Sequence, residues 1–273
     1  SMYNNIYEKI KSSCGYVTVV LDGETISQGT CFAYTQDGEV ITAAHVVTGR
    51  MPIRLEDYTD PNAKIFVKFP GRPVIEYFVH FCSVGINVDA FSETIQLDIA
   101  ALAPKEKQSG VFNYLPASLT PPQLGDRVFL SGFSDDLSLP FNLNRIANKD
   151  FPGMREFLSA MQTGYIADMM GPMTKCAVVG NHVRIHASNS EQNISADFSL
   201  FYMDNGVNSG ASGGPIVNEA GEAIGVISQR AVTSASQSSD TSLKVPAGAT
   251  IGLSLEPIET VRQIRLRQAL TKN

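Results

Sequence analysis

The sequence predicts an all-β fold made of two β-barrels, and three observations carry that reading. Short β-rich runs recur between turn signals, the spacing of antiparallel barrels rather than of alternating strands and helices. A stretch from 104 to 124, containing Pro104, Pro116, Pro121 and Pro122, interrupts the pattern, and residues 124 to 132 restart it. With 273 residues, 43% of them hydrophobic, the chain can fill two cores of about a hundred residues each.

Taken in order, residues 3 to 13 suit a short helix with Ile6 and Ile10 on one face. Residues 17 to 21 read as a strand that turns at Asp22-Gly23 into a second strand, 29 to 34, and Asp37-Gly38 turns the chain again. The β-branched run 39 to 47 ends in small residues and is expected to carry His45 at a strand end. Further strands are expected at 53 to 55, 64 to 69, 74 to 82 and 94 to 103, and at 223 to 228. Residues 134 to 163 break the all-β pattern. Met154, Phe157, Leu158 and Met161 recur at helical spacing behind Pro152, predicting a helical insertion. Its apolar face at 152–161 either packs on the second barrel or serves beside the cleft as a lid, as a contact for a regulatory partner or as a contact for a second copy, since Met-rich faces adapt to partners. The Ser-rich run within 231 to 250 has too little apolar surface to pack and is expected to be mobile. The chain closes with an amphipathic helix from 257 to 270. The expected organisation is one domain over 1–273: first barrel 14–103, linker 104–124, second barrel 125–256 and C-terminal helix 257–273.

The chemistry centres on Asn208-Ser209-Gly210-Ala211-Ser212-Gly213-Gly214-Pro215. A serine among glycines places a hydroxyl on a tight turn where backbone N–H groups can approach a substrate. The pattern Gly-x-Ser-Gly-Gly-Pro should arise by chance about once in several thousand chains of this length, which favours a functional turn over a plain glycine turn between strands. A serine becomes a nucleophile only when a histidine takes its proton and a carboxylate orients that histidine. All four histidines (His45, His80, His182, His186) precede Ser212. The Gly-x-Ser-x-Gly elbow of α/β-hydrolases, whose histidine follows the serine, is therefore excluded. Asp98 is the best acid, because it lies in the apolar run 94 to 102, where a carboxylate must be hydrogen-bonded or paired.

These residues resemble the chymotrypsin-like serine peptidases, and within them the bacterial HtrA (DegP-like) protease domain. The resemblance rests on Thr42-Ala43-Ala44-His45, Leu97-Asp98-Ile99-Ala100 and Gly210-Ala211-Ser212-Gly213-Gly214-Pro215, with support from Gly125-Asp126-Arg127-Val128, Ser131-Gly132, the run 221 to 228, and Ile251-Gly252-Leu253-Ser254. It implies a chymotrypsin-like double barrel with the site in the cleft between the barrels. It also implies a His45–Asp98–Ser212 triad, an oxyanion hole at the N–H groups of Gly210 and Ser212, and an endopeptidase acting through an acyl-enzyme. By the same resemblance Ser228 lies beside the aspartate, and Gly206, Ser228, Gln229 and Arg230 border the substrate pocket. A PDZ domain, which HtrA proteins typically carry after the protease, is not expected here, which sets their chaperone-like regulation aside. Digestive relatives carry an aspartate before the nucleophile that pairs with a freshly cleaved N-terminus, but here the residue is Ala211. The oxyanion loop is therefore expected to be shaped by substrate, by a partner or by the inserted helix. The alternative is a latent or inactive protease-fold binding or sensor module, and an esterase on the same fold would use the same residues.

A net charge of −6 and a pI near 5.2 argue against nucleic acid as a partner. No apolar run reaches the ~18 residues of a membrane span, and no signal-peptide core is visible. Cys14, Cys31, Cys82 and Cys176 form no Cys-x-x-Cys pair and read as buried small hydrophobes. A cytoplasmic protein with peptide or protein substrates and no cofactor is the expectation. His182 and His186 share a strand face, but no third ligand is evident, so no metal is expected.

Overall fold

Asp22 and Gly23 adopt positive φ values of 52° and 85°, the backbone that a two-residue hairpin turn requires. The computed structural model describes the whole chain except residues 135, 136, 138, 140, 192, 229–231, 235–247 and 273. Helix α1 (Met2–Ser13), N-capped by the Ser1 hydroxyl, buries Ile6 and Ile10. It leads into strand β1 (Cys14–Leu21), which the Asp22-Gly23 turn folds onto β2 (Glu24–Ala33). The chain continues through β3 (Val40–Thr42), α2 (Ala44–Thr48), α3 (Glu56–Thr59), β4 (Ala63–Lys68), β5 (Ile75–Ile86) and β6 (Ile95–Pro104). Antiparallel pairing in the order β6-β3-β2-β1-β4-β5, with β5 returning to β6, closes a six-stranded barrel.

Residues 105–126 cross to the second barrel and are tied to both. Leu115 N–H donates to Ala33 O at 2.9 Å, and Ala223 N–H donates to Pro116 O at 2.9 Å. The second barrel takes β7 (Arg127–Gly132), then, after an insertion, β8 (Met173–Asn189), β9 (Ile194–Met203), β10 (Pro215–Val217), β11 (Ala223–Ile227) and β13 (Thr250–Ser254), closed in the order β10-β11-β13-β9-β8-β7. Strand β12 (Val232–Ser234) instead joins the first barrel, with Val232 opposite Leu97. The insertion holds α4 (Leu143–Ile146), α5 (Met154–Ala160), a π-helical turn (Met161–Tyr165) and α6 (Ile166–Met169), and α7 (Pro257–Thr271) ends the chain.

Each barrel encloses its own apolar cluster, Val17, Val40, Val67 and Leu102 in the first and Val128, Leu130, Phe201 and Ile216 in the second. A third cluster, including Phe32, Leu97, Ile99, Phe133, Phe198 and Leu253, joins the two. Strand β6 serves both: Ala100 and Leu102 enter the first core while Leu97 and Ile99 face the joint cluster. Asp98 keeps the parity of Ala100 and Leu102, at the strand end nearest the second barrel.

The structure corrects several local expectations. Residues 53 to 55 form no strand and instead lead into α3. The run 39 to 47 is a strand only to Thr42, and His45 lies in the first turn of α2, which ends at Gly49 with φ 76°. The insertion faces the first barrel, and Ala167 of α6 is buried in the cluster that joins the two barrels. Lys68 of β4, only 2% exposed, donates to Asp168 Oδ1 of α6 at 2.7 Å, and its ammonium lies 5.0 Å from the Tyr165 ring centroid. The four thiols are free, and Cys176 is half-buried rather than buried. The Ser-rich run expected to be mobile falls mostly outside the described residues.

Candidate active site

After β3 the chain leaves the barrel through Ala43 and Ala44, both fully buried. Helix α2 then begins without a side-chain cap of its own. The His45 N–H, one of the first-turn donors without an intrahelical partner, donates to Asp98 Oδ1 at 2.8 Å. The same carboxylate accepts from the His45 ring, with Nδ1 2.6 Å from Asp98 Oδ2, and from the Ser228 hydroxyl. Asp98 is fully buried and acceptor-only when ionised, so the proton of this contact resides on Nδ1, leaving Nε2 as a base. Burial alone raises the Asp98 pKa. The opposing His45 charge and the hydrogen bonds from the His45 ring, Ser228 and the His45 backbone outweigh it and hold the carboxyl below its ordinary 3.8.

A carboxyl with a depressed folded-state pKa stabilises the fold above its unfolded-state value, and that contribution is lost as pH falls through the folded-state value. Ser228→Ala removes one of the lowering contacts, so the folded-state value rises toward the ordinary one. The acid-unfolding midpoint, followed by circular dichroism below about pH 4, is expected to move to higher pH.

The nucleophile candidate is held with equal restriction. Ser212 follows a 3-10 turn, Ser209–Ala211, and its carbonyl accepts the Thr30 N–H of β2 at 3.0 Å. Gly213 has φ 87°, and a Cβ there would lie 2.1 Å from Thr30 O. A Cβ on Gly214 would lie 1.9 Å from Ser131 O. Only glycine fits at either position, which explains the spacing of the motif. Gly29 ties the halves together, because a Cβ there would lie 2.7 Å from Val46 Cγ1, next to His45, and 3.2 Å from Ser212 O.

The Ser212 hydroxyl is not hydrogen-bonded to His45 among the described residues. Such bonds often tighten only with substrate in place. The expected oxyanion donors are only partly available. The Ser212 N–H donates to Ser209 O at 3.1 Å within the 3-10 turn, while Gly210 O accepts the Thr30 hydroxyl at 2.9 Å. The Thr30 hydroxyl in turn accepts the Phe133 N–H at 2.9 Å.

The family description "Trypsin-like peptidase domain" matches residues 29–226, a span that contains His45, Asp98 and Ser212. The chain belongs to that family. Among solved structures this trypsin-like peptidase domain is similar to the Rv3671c protease of M. tuberculosis in its inactive form, at 17% identity over 96% of this chain and 94% of that one, with a TM-score of 0.53. The active form of that protease gives 17%, 96% and 85%, at 0.53, and Deg5 gives 17%, 94% and 90%, at 0.55. At such identities the likeness is one of fold, the chymotrypsin-like double barrel. None of the curated proteins matches the chain.

The remaining expected positions of this peptidase domain divide. Ser228 is buried and its hydroxyl donates to Asp98 Oδ2, which places it beside the aspartate. Gly206 is half-buried, and its carbonyl accepts Lys175 Nζ at 2.7 Å. Gln229 and Arg230 lie outside the described residues. Sequence reasoning missed Thr30 and Lys175, for neither belongs to a motif and each acts on a backbone carbonyl. Threonine beside Gly29, at the start of a buried run, was the only available signal. His182 and His186 lie exposed on β8, where His186 pairs with Asp197. No group of three or more His, Cys, Asp or Glu side chains among the described residues is placed to hold a metal, and none of the described helices is long and apolar enough to cross a membrane.

Proposed function

We propose that the protein is a serine endopeptidase that hydrolyses peptide bonds of protein or peptide substrates through an acyl-enzyme. One observation carries the proposal: a fully buried Asp98 grips His45 by both its backbone N–H and its Nδ1, which fixes the ring's orientation and tautomer. Nε2 then takes the proton as Ser212 Oγ attacks the carbonyl and later gives it to the leaving amine. Asp98 stabilises the imidazolium without taking the proton. Water repeats the sequence to release the acyl group.

The N–H groups of Gly210 and Ser212 are the proposed oxyanion donors, and one such donor is worth about 3 kcal/mol. Because Ser209 O occupies the Ser212 N–H, the resting enzyme is latent, and that turn opens when substrate or a partner arrives. Rv3671c protease, of the same fold, exists in an inactive and an active form. An activated nitrophenyl ester should give a burst of nitrophenol equal to the enzyme concentration, preceded by a lag that a peptide substrate shortens. A burst of that size without any lag would contradict latency. No burst from folded protein, with or without peptide, would favour the reading of a protease-fold binding module.

A further inference from the structure

Val20 and Phe66 of the first barrel face Leu158, Met161, Tyr165 and Ile166 of the insertion across a cavity of about 1160 Å3. Lys68 is the cation on its wall, and that charge is spent: its ammonium donates to Asp168 Oδ1 and to Phe69 O, each at 2.7 Å. The ion pair ties the insertion to β4 and leaves a space that is mostly apolar, with neutral polar groups such as Gln28, Asn142 and Gln162 at its wall and no unspent charge in its described lining. With no opposite charge to pair with, anions and other charged groups are disfavoured there, and apolar side chains are favoured. The cavity reaches the size that encloses an extended group of side chains.

One strand connects the cavity to the candidate active site, although none of His45, Asp98 and Ser212 lines it. Gln28 of β2 lines it, and the next residue, Gly29, packs against Ser212 O and Val46. Gly206 and Ser228 belong to the second barrel, whereas the cavity lies between the first barrel and the insertion. A polypeptide held beside Gly206 and crossing Ser212 would therefore run on toward the cavity.

We infer that this cavity is a substrate subsite that receives apolar side chains of the segment on the far side of the scissile bond from the residue held beside Gly206. The inference rests on the peptidase reading and deepens it by naming the substrate class: chains with apolar residues following the cleaved bond. Leu158 and Met161 are its selecting residues, and Lys68 and Asp168 are positioning residues that hold the wall.

Two internally quenched peptides test it, identical up to the cleaved bond and carrying Leu-Phe or Ser-Asp after it. The apolar peptide should show a kcat/KM about ten- to a hundredfold higher, the range that an apolar pocket supplies. Leu158→Gln with Met161→Glu should reduce that ratio below about twofold, with thermal melting confirming that the variant is folded. Both positions are half-buried, so the fold tolerates the change. Equal rates for the two peptides, in a protein that a fluorophosphonate labels at Ser212, would overturn the subsite and leave the peptidase reading standing. If the native protein is neither labelled nor active, the peptidase reading fails instead. Fluorescence anisotropy of the Leu-Phe peptide then decides the cavity: binding that the double variant loses supports it as a peptide site, and no binding overturns it.

Discussion

Replacing His45 with alanine is expected to lower kcat/KM on any cleavable peptide by about a millionfold, the loss seen when a unit of this kind loses its base or its nucleophile. Asp98 does not substitute for it as a base. Asp98 is buried at 0% exposure, is held below the ordinary carboxylate range and is already committed to three donors. The loss should fall on kcat rather than KM, since the imidazole acts in the proton transfer and not in ground-state binding. Combining it with Ser212→Ala should add almost nothing, because the two residues act as one device. Steady-state kinetics on the single and double variants check both statements. A loss below about a hundredfold would mean that His45 is not the base.

Asp98→Asn is expected to cost about ten-thousandfold in kcat while leaving the backbone in place. The amide can donate where the carboxylate only accepts, so it favours a proton at Nε2, the wrong tautomer for taking one from Ser212. The variant also loses the ion that accepts the α2 N–H and the Ser228 hydroxyl. Two pH effects separate this role from a merely structural one. Residual activity should recover as pH rises, where hydroxide substitutes for the missing base. The acid transition assigned to Asp98, present above the unfolded-state pKa and lost on descending through the depressed one, should vanish from the unfolding curve below about pH 4. Activity of the variant within tenfold of native would contradict the orienting role.

The fold was legible wherever a turn residue and a strand period agreed. Asp22-Gly23 marked a hairpin because both residues take positive φ, Gly38 marked the longer β2–β3 turn by its φ of 85°, and Ile6 and Ile10 marked a helix because both are buried. The setting of His45 was misread for a local reason. Its β-branched neighbours favour a strand, but the Asp98 carboxylate captures the His45 N–H and Gly49 ends the turn in the left-handed region, so tertiary contact overrides propensity. The insertion was legible as helical, but not by the face it presents. Periodicity names a face and never its neighbour, and the Lys68–Asp168 pair that sets the neighbour spans a hundred residues of sequence. The motif around Ser212 announced itself because Gly213 and Gly214 admit no side chain. The bond from the Ser212 N–H to Ser209 O was not legible, since it joins two backbone groups and asks for no particular side chain.

The claim that Asp98 and His45 make Ser212 nucleophilic is tested most directly by treating the native protein with a peptidyl fluorophosphonate and locating the adduct by mass spectrometry. The account predicts one phosphonyl group on the peptide that contains Ser212, and no adduct in His45→Ala under the same conditions. An adduct elsewhere, or equal labelling of the His45→Ala protein at Ser212, would contradict it.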